Sequence, residues 1–422
     1  MDTQRKLIVG FDLCEDFSQI SCYSYKTFEP VPICSEEDSE ESCLIPSVLC
    51  IRKDTKLWLY GKEANACAMA GDGILIDHIL TKIKNNEVVE ILEQKFSGVN
   101  LLEKFFRKTL TEIKNYFPTE QVTKIVVTLR ETDPVIVDGI YEALYQLGIE
   151  KDRAEVISHA GAYLYYALSQ DRSLWMNDVG LFDFGEDGLT YYQININRRS
   201  VPMIAGLTKK DYNDTLSCDM LKQKKLDISY IFENVAGNAL YKQLISTLYF
   251  TGKGFEGDWA TQAIKNICAG KRAFVGQNLY TKGACYAAKE LSGDVKLDNI
   301  ILLNDDMLTS SIAIRVYCDA KQKEIPLTDA AVAWYEVNRS IEVIPDEEAE
   351  LELIIRNIMT KEVIKERLII QNMPERPNRM TRLQINLTCL STDNIKIGIT
   401  DLGFGDIYTG TGYLCEYTLD IG

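Results

Sequence analysis

Histidine is nearly missing from this 422-residue chain: His78 and His159 are the only two, 81 residues apart. A zinc site would have to be completed by thiols or carboxylates, and nothing close in sequence to either histidine supplies the spacing. No run of 18 apolar residues exists, so no membrane-spanning helix is expected. The first ten residues hold no apolar stretch of signal-peptide length. Positive charge is also short. Lys plus Arg number 46 against 62 Asp plus Glu, a formal charge of −16 that disfavours binding to a phosphate backbone. Cysteine is plentiful, with twelve residues, but no C-x-x-C pair occurs and the gaps (8, 12, 9, 7, 17, then 151) form no disulfide framework. Several, such as Cys22, Cys50 and Cys389, sit inside strand-like runs, so buried reduced thiols in a cytoplasmic protein are expected, with no structural metal.

What is present reads as two or three domains. Lys6–Leu13 and Gln19–Tyr25 are short β-rich runs joined by a polar turn at Cys14–Ser18. The acidic block 36–42 reads as a solvated loop, and strand returns at Cys43–Ile51 and Lys56–Tyr60. Leu102, Phe106, Leu110, Ile113 and Phe117 trace one face of a helix that Pro118 ends. Val122–Leu129, a helix from Pro134 to Gly148, Glu155–Ile157 and the small-residue helix Ala160–Leu168 follow as a β-α-β-α unit. Asp178–Phe184 and Leu189–Asn195 then repeat the opening hairpin theme around an Asp-Gly turn. Helical sequence over 228–245, a strand at Ser246–Thr251 and a helix from Asp258 to about Ala269 complete this part. Beyond position 308, seven runs alternate with period two between turn signals, the pattern of an all-β sandwich.

Two features point to chemistry. Gly252-Lys253-Gly254-Phe255-Glu256-Gly257 matches G-x-G-x-x-G, but it lies late in the chain and 272–283 offers no acid for a ribose. The glycines there fit a backbone that must approach a flat ligand or a phosphate. Asp12 and Asp183 each close the first strand of a hairpin, both preceded by Phe. Two such acids facing each other across two lobes would hold Mg²⁺ and water beside a triphosphate.

In this order the segments resemble the actin-like ATPase superfamily, most closely its DnaK-type heat-shock chaperones, and are similar to an uncharacterised bacterial family of chaperone-like proteins. Gly10-Phe11-Asp12-Leu13 stands at the first phosphate hairpin and Asp183-Phe184-Gly185 at the second. Pro46-Ser47-Val48, Gly61-Lys62-Glu63-Ala64, Val126-Val127-Thr128 and Val156–Ala162 resemble intervening family segments, and Gly252-Lys253-Gly254 its adenosine loop. Met373–Pro377, Leu383-Gln384-Ile385 and Ile397–Asp401 resemble the peptide-binding β-sandwich.

The resemblance implies an α/β actin-like two-lobed ATPase fold with a reduced second lobe, followed by an all-β sandwich. Lobe I would span 1–177, lobe II 178–296, a linker 297–307 and the sandwich 308–422. It implies ATP with Mg²⁺ as ligand, Asp12 and Asp183 as catalytic and water-mediated metal groups, and Asp12, Gly185, Gly188, Gly252, Lys253 and Gly254 around the nucleotide. It implies a protein or extended peptide as partner, with rim loops near 317–324 and 344–349. The departures matter as much. Cys14-Glu15 stands where the family has Gly-Thr, and Glu186-Asp187-Gly188 where it has Gly-Gly-Thr. Asn65 replaces its catalytic Lys, and His159 its Glu. Added carboxylates near a triphosphate cost on the order of several kcal/mol each when desolvated. Hydrolysis is therefore expected to be lost or very slow. About 50 residues between Asn195 and Ser246 are too few for the family's outer subdomain, and no helical lid is expected after the sandwich. The expectation is a chaperone-type protein with a degenerate nucleotide site. The alternatives are a scaffold for a dedicated partner, or an atypical ATPase using Glu15 or Glu186.

Overall fold

The computed structural model describes residues 6–33, 43–222, 227–294, 296–346 and 349–422; the acidic block 36–42 lies outside them. The chain divides into two compact units, Met1–Ile300 and Ile301–Gly422.

The first unit is built on two sheets that share five strands in the same order. In the first, strands run in the order Ala154–Ser158, Val122–Leu129, Leu7–Leu13, Phe17–Ser24, Glu29–Pro32. In the second, the order is Arg272–Val275, Ile245–Thr251, Asp178–Gly185, Gly188–Asn197, Met203–Asp211. Each central strand has a parallel neighbour on one side, itself flanked by a second parallel strand, and an antiparallel meander on the other. The equivalence reaches single residues. Asp12 pairs across the ladders with Thr128 and Gln19, and Asp183 with Thr251 and Thr190. Even the irregularity recurs, as a register shift between Leu7 and Ile8 and again between Asp178 and Val179.

The central strands form because they are apolar on both faces. Leu7–Leu13 is buried at every position, as expected for a strand covered on both sides. Gly98–Tyr116 is a helix capped by Ser97 through a reciprocal box with Asn100, and Pro134–Tyr145 is capped by Asp133 with Pro at its first position. Two further helices tie the sheets together. His159–Ser169 follows the first sheet, yet its Tyr163 and Tyr166 pack edge-on against Tyr249 of the second. Leu279–Leu291 follows the second sheet, yet its Thr281 hydroxyl donates to the Gly10 carbonyl of the first. Close approach requires glycine here. A Cβ on Gly10 would lie 2.3 Å from the Cys285 backbone nitrogen, and one on Gly283 would lie 2.0 Å from the Ala162 carbonyl oxygen.

The helix Leu279–Leu291 and the strand Met203–Asp211 have no counterpart among the elements read from sequence. The first is masked by small residues with little helical contrast, and the second fades into Lys209-Lys210-Asp211 at its exposed end. The helix expected over Asp258–Ala269 is confined to Thr261–Ile267.

The second unit consists of two four-stranded antiparallel sheets. One runs Lys321–Thr328, Ser310–Cys318, Glu350–Asn357, Val363–Ile369, and the other Asn338–Val343, Arg382–Cys389, Asn394–Phe404, Tyr408–Asp420. Alternate residues of both sheets, among them Ile312, Ile314, Leu353, Leu383, Ile385 and Ile397, meet in one core. In the second sheet the burial alternates along Arg382–Cys389 and Asn394–Phe404, as a sandwich face requires. The turn at 373–377 is pinned by Arg376, whose guanidinium forks onto Asp401 at 2.9 and 2.7 Å. Burial pushes the Asp401 carboxyl up, but Arg376 and the Gly403 and Thr411 amides together hold it well below the usual carboxylate range.

Two expectations are corrected in this region. The rim loop expected near 317–324 is a β-hairpin, Ser310–Cys318 and Lys321–Thr328, turning at Asp319-Ala320 with both φ angles positive. Part of the expected linker, Ile300–Leu303, is a strand. The other expected rim, 344–349, includes 347–348, which lie outside the described residues. Of the described cysteines ten are free, whereas Cys43 is disulfide-bonded, an exception to the expected reduced thiols.

Candidate functional site

The equivalent strand ends of the two sheets open onto one cleft of about 1200 Å³ within the first unit. Asp12, Asp183, Gly185, Gly188, Gly252 and Lys253 all line it. Gly254 does not. It packs beneath Phe184, where a Cβ would lie 2.3 Å from the ring.

Both aspartates are already engaged by protein. Asp12 is buried, and its Oδ1 accepts from His159 Nε2 at 2.8 Å and from the Cys14 thiol at 3.6 Å. Asp183 is half-buried, and its Oδ2 accepts from the Tyr280 hydroxyl at 2.5 Å. The two partner rings are stacked on each other, with centroids 3.8 Å apart and planes 12° from parallel. A continuous path therefore runs Asp12, His159, Tyr280, Asp183. Burial pushes the Asp183 carboxyl up, against the Tyr280 hydrogen bond and the charges of His159 and Arg130, while Asp12 adds to the rise. Burial and Asp12 push the Cys14 thiol well up, and burial and Asp183 do the same for Tyr280. In this arrangement Cys14 is a protonated thiol and no nucleophile.

The phosphate turns are likewise occupied. Arg130 pairs with Asp187. Lys253 Nζ lies 3.2 Å from Glu186 and 4.1 Å from the centre of the Phe17 ring. Asp16, on the first turn, is raised by burial and by its hydrogen bond to Glu186, so the two hairpins meet through a pair of carboxyls. The Gly252 amide donates to Gln277 Oε1 at 3.2 Å, and Gln277 Nε2 returns a bond to the Gly252 carbonyl at 3.1 Å. Gly252 is required by its φ of +98°, and Gly188 by its φ of +126°. Cleft-lining acids number eight against four Lys and Arg, and three of those four are in ion pairs. The electrostatics oppose a polyanion.

Glu15 departs from expectation. Its carboxylate turns away from the cleft lining and accepts from the Leu80 and Thr81 amides, both at 3.2 Å, at the start of the short helix Ile79–Lys84. His78 stands beside it at 3.4 Å. Asp16 is the acid of that turn that lines the cleft.

The ligand spacing that His159 lacks along the sequence is supplied by the fold. Across 147 residues it brings Asp12 to the imidazole, and across 145 residues Cys14, 3.7 Å away. Sequence reasoning missed Tyr280, Arg130 and Asp16. Tyr280 lies in a helix whose only written signal is its run of small residues, and its partner is 97 positions away.

The chain belongs to the family described as Family of unknown function (DUF5716) C-terminal, whose model matches residues 29–305. A second model, Domain of unknown function (DUF8552), matches residues 307–421. No curated protein matches the chain. Among the described residues no helix is long and apolar enough to cross a membrane.

Proposed function

We propose that this is a DnaK-like, chaperone-type protein with an actin-like first unit whose nucleotide cleft has lost hydrolysis, and a second unit that binds an extended peptide. One observation carries the reading. Asp12 and Asp183, at equivalent strand ends facing one cleft, are satisfied by His159 and Tyr280 rather than free to hold hydrated Mg²⁺. The five strands that the two sheets share in the same order support the two-lobed fold. The edge strand Val363–Ile369, with Val363, Ile364 and Ile369 exposed, supports strand addition by a peptide.

Steady-state turnover of MgATP by the full chain tests the enzymatic half. The expected rate is that of buffer alone, and turnover abolished by Asp183→Ala sinks the reading. An array of unrelated apolar peptides tests the other half. Binding to many sequences supports a client site, and binding to none favours the scaffold.

A further inference from the structure

Asp12, Cys14 and His159 form a cluster that the loss of hydrolysis does not explain. Each offers one ligand atom, all within 4.8 Å of one another, and all three residues line the cleft. The Oδ1–Sγ and Sγ–Nε2 separations are 3.6 and 3.7 Å, and the Oδ1–Nε2 separation is 2.8 Å. Around a tetrahedral Zn²⁺, bonds of about 2.3 Å to sulfur and about 2.0–2.1 Å to nitrogen and oxygen place ligand atoms roughly 3.3–3.6 Å apart. Two edges already have nearly that length. The third is shortened by a hydrogen bond that a metal would replace, opening it by about half an ångström. Beside Asp12 in the parallel ladder, the Thr128 hydroxyl is buried and has no hydrogen-bond partner among the described residues, a polar group that a metal-bound water would satisfy.

We propose that Asp12 Oδ1, Cys14 Sγ and His159 Nε2 bind one zinc-class divalent ion, with a fourth position open to the cleft. Donor chemistry selects the ion: a thiolate with an imidazole suits Zn²⁺ or Co²⁺ and disfavours Mg²⁺, which prefers oxygen. On binding, the Cys14 thiol proton passes to solvent, and the His159 proton that bonds Asp12 leaves Nε2, the neutral ring carrying its proton on Nδ1 instead. The ring is held in place by its stack on Tyr280, itself bonded to Asp183. The site goes beyond the chaperone reading and does not depend on it.

Cobalt titration of the reduced, chelator-treated full chain tests the site. The expected result is one Co²⁺ per chain, with thiolate-to-cobalt charge-transfer absorption and visible bands of tetrahedral strength. Zn²⁺ erases both, and excess Mg²⁺ changes neither. Cys14→Ser removes the charge-transfer band. His159→Gln weakens binding at least about 10-fold, since losing a ligand costs no less than losing a residue that merely orients one. Cys67→Ser, which removes a thiol of the Cys50–Cys67 pair, keeps the full spectrum. Absence of these bands in the wild-type chain at millimolar Co²⁺, or their survival in Cys14→Ser, overturns the proposal. The wild-type titration requires no variant to fold, and ATP turnover is read separately.

Discussion

The two sheets of the first unit share the order of five strands and even the position of a register shift, but they treat their equivalent aspartates differently. Asp12 accepts from two donors, an imidazole and a thiol, while Asp183 accepts from one phenol and is pushed up by burial. Topology fixes where an acid stands; the side chains around it decide what the acid can do. In this cleft each acid is matched to a partner on one of the two helices that tie the sheets together.

The largest effect should come from breaking that tie. Gly283→Val drives a side chain into the Ala162 carbonyl, which a Cβ alone would approach to 2.0 Å. Because the obstacle is backbone, we expect a loss of about 3 kcal/mol in urea unfolding of the first unit. Gly237→Ala, at a helical position with open space around it, should be neutral or slightly stabilising.

The two aspartates should then respond with opposite signs. Asp12→Asn keeps an acceptor but loses charge-assisted bonding to His159, for a cost on the order of 1 kcal/mol. Asp183→Asn keeps an acceptor for Tyr280 and removes a desolvated charge, so the chain gains stability at neutral pH. The pH dependence follows from the raised carboxyl. Wild-type stability from this group is lost as pH rises through its folded pKa, so the gain in Asp183→Asn is greatest above that value and shrinks as pH falls through it. Equal signs in urea titrations of the two variants would contradict the assigned environments.

The smallest effect belongs to Glu15. Glu15→Ala removes the acceptor for two helix-start amides and should cost about 0.5–2 kcal/mol, while leaving cobalt binding unchanged. A change in the cobalt spectrum would return Glu15 to the cleft.

Much of the local structure is legible in the sequence. Val122–Leu129 and Ser310–Cys318 have the bounds read from their apolar and alternating patterns, and both hairpins stand where Asp12 and Asp183 mark them. Periodicity reports such elements because it reflects burial of neighbours in sequence. It cannot report pairings across the fold. His159 with Asp12, and Tyr280 with Asp183, are separated by 147 and 97 positions, and no spacing encodes either pair. Glu15 fails for the opposite reason: its turn is read correctly, but the direction of its side chain is set by the distant amides of Leu80 and Thr81.

Calorimetric titration of the full chain with MgATP tests the central claim most directly. With Asp12 and Asp183 satisfied internally and three of four cleft cations paired, no heat of binding is expected at millimolar nucleotide. Binding with a Kd below about 10 μM, a free energy of roughly −7 kcal/mol, that disappears in Asp183→Ala would contradict it.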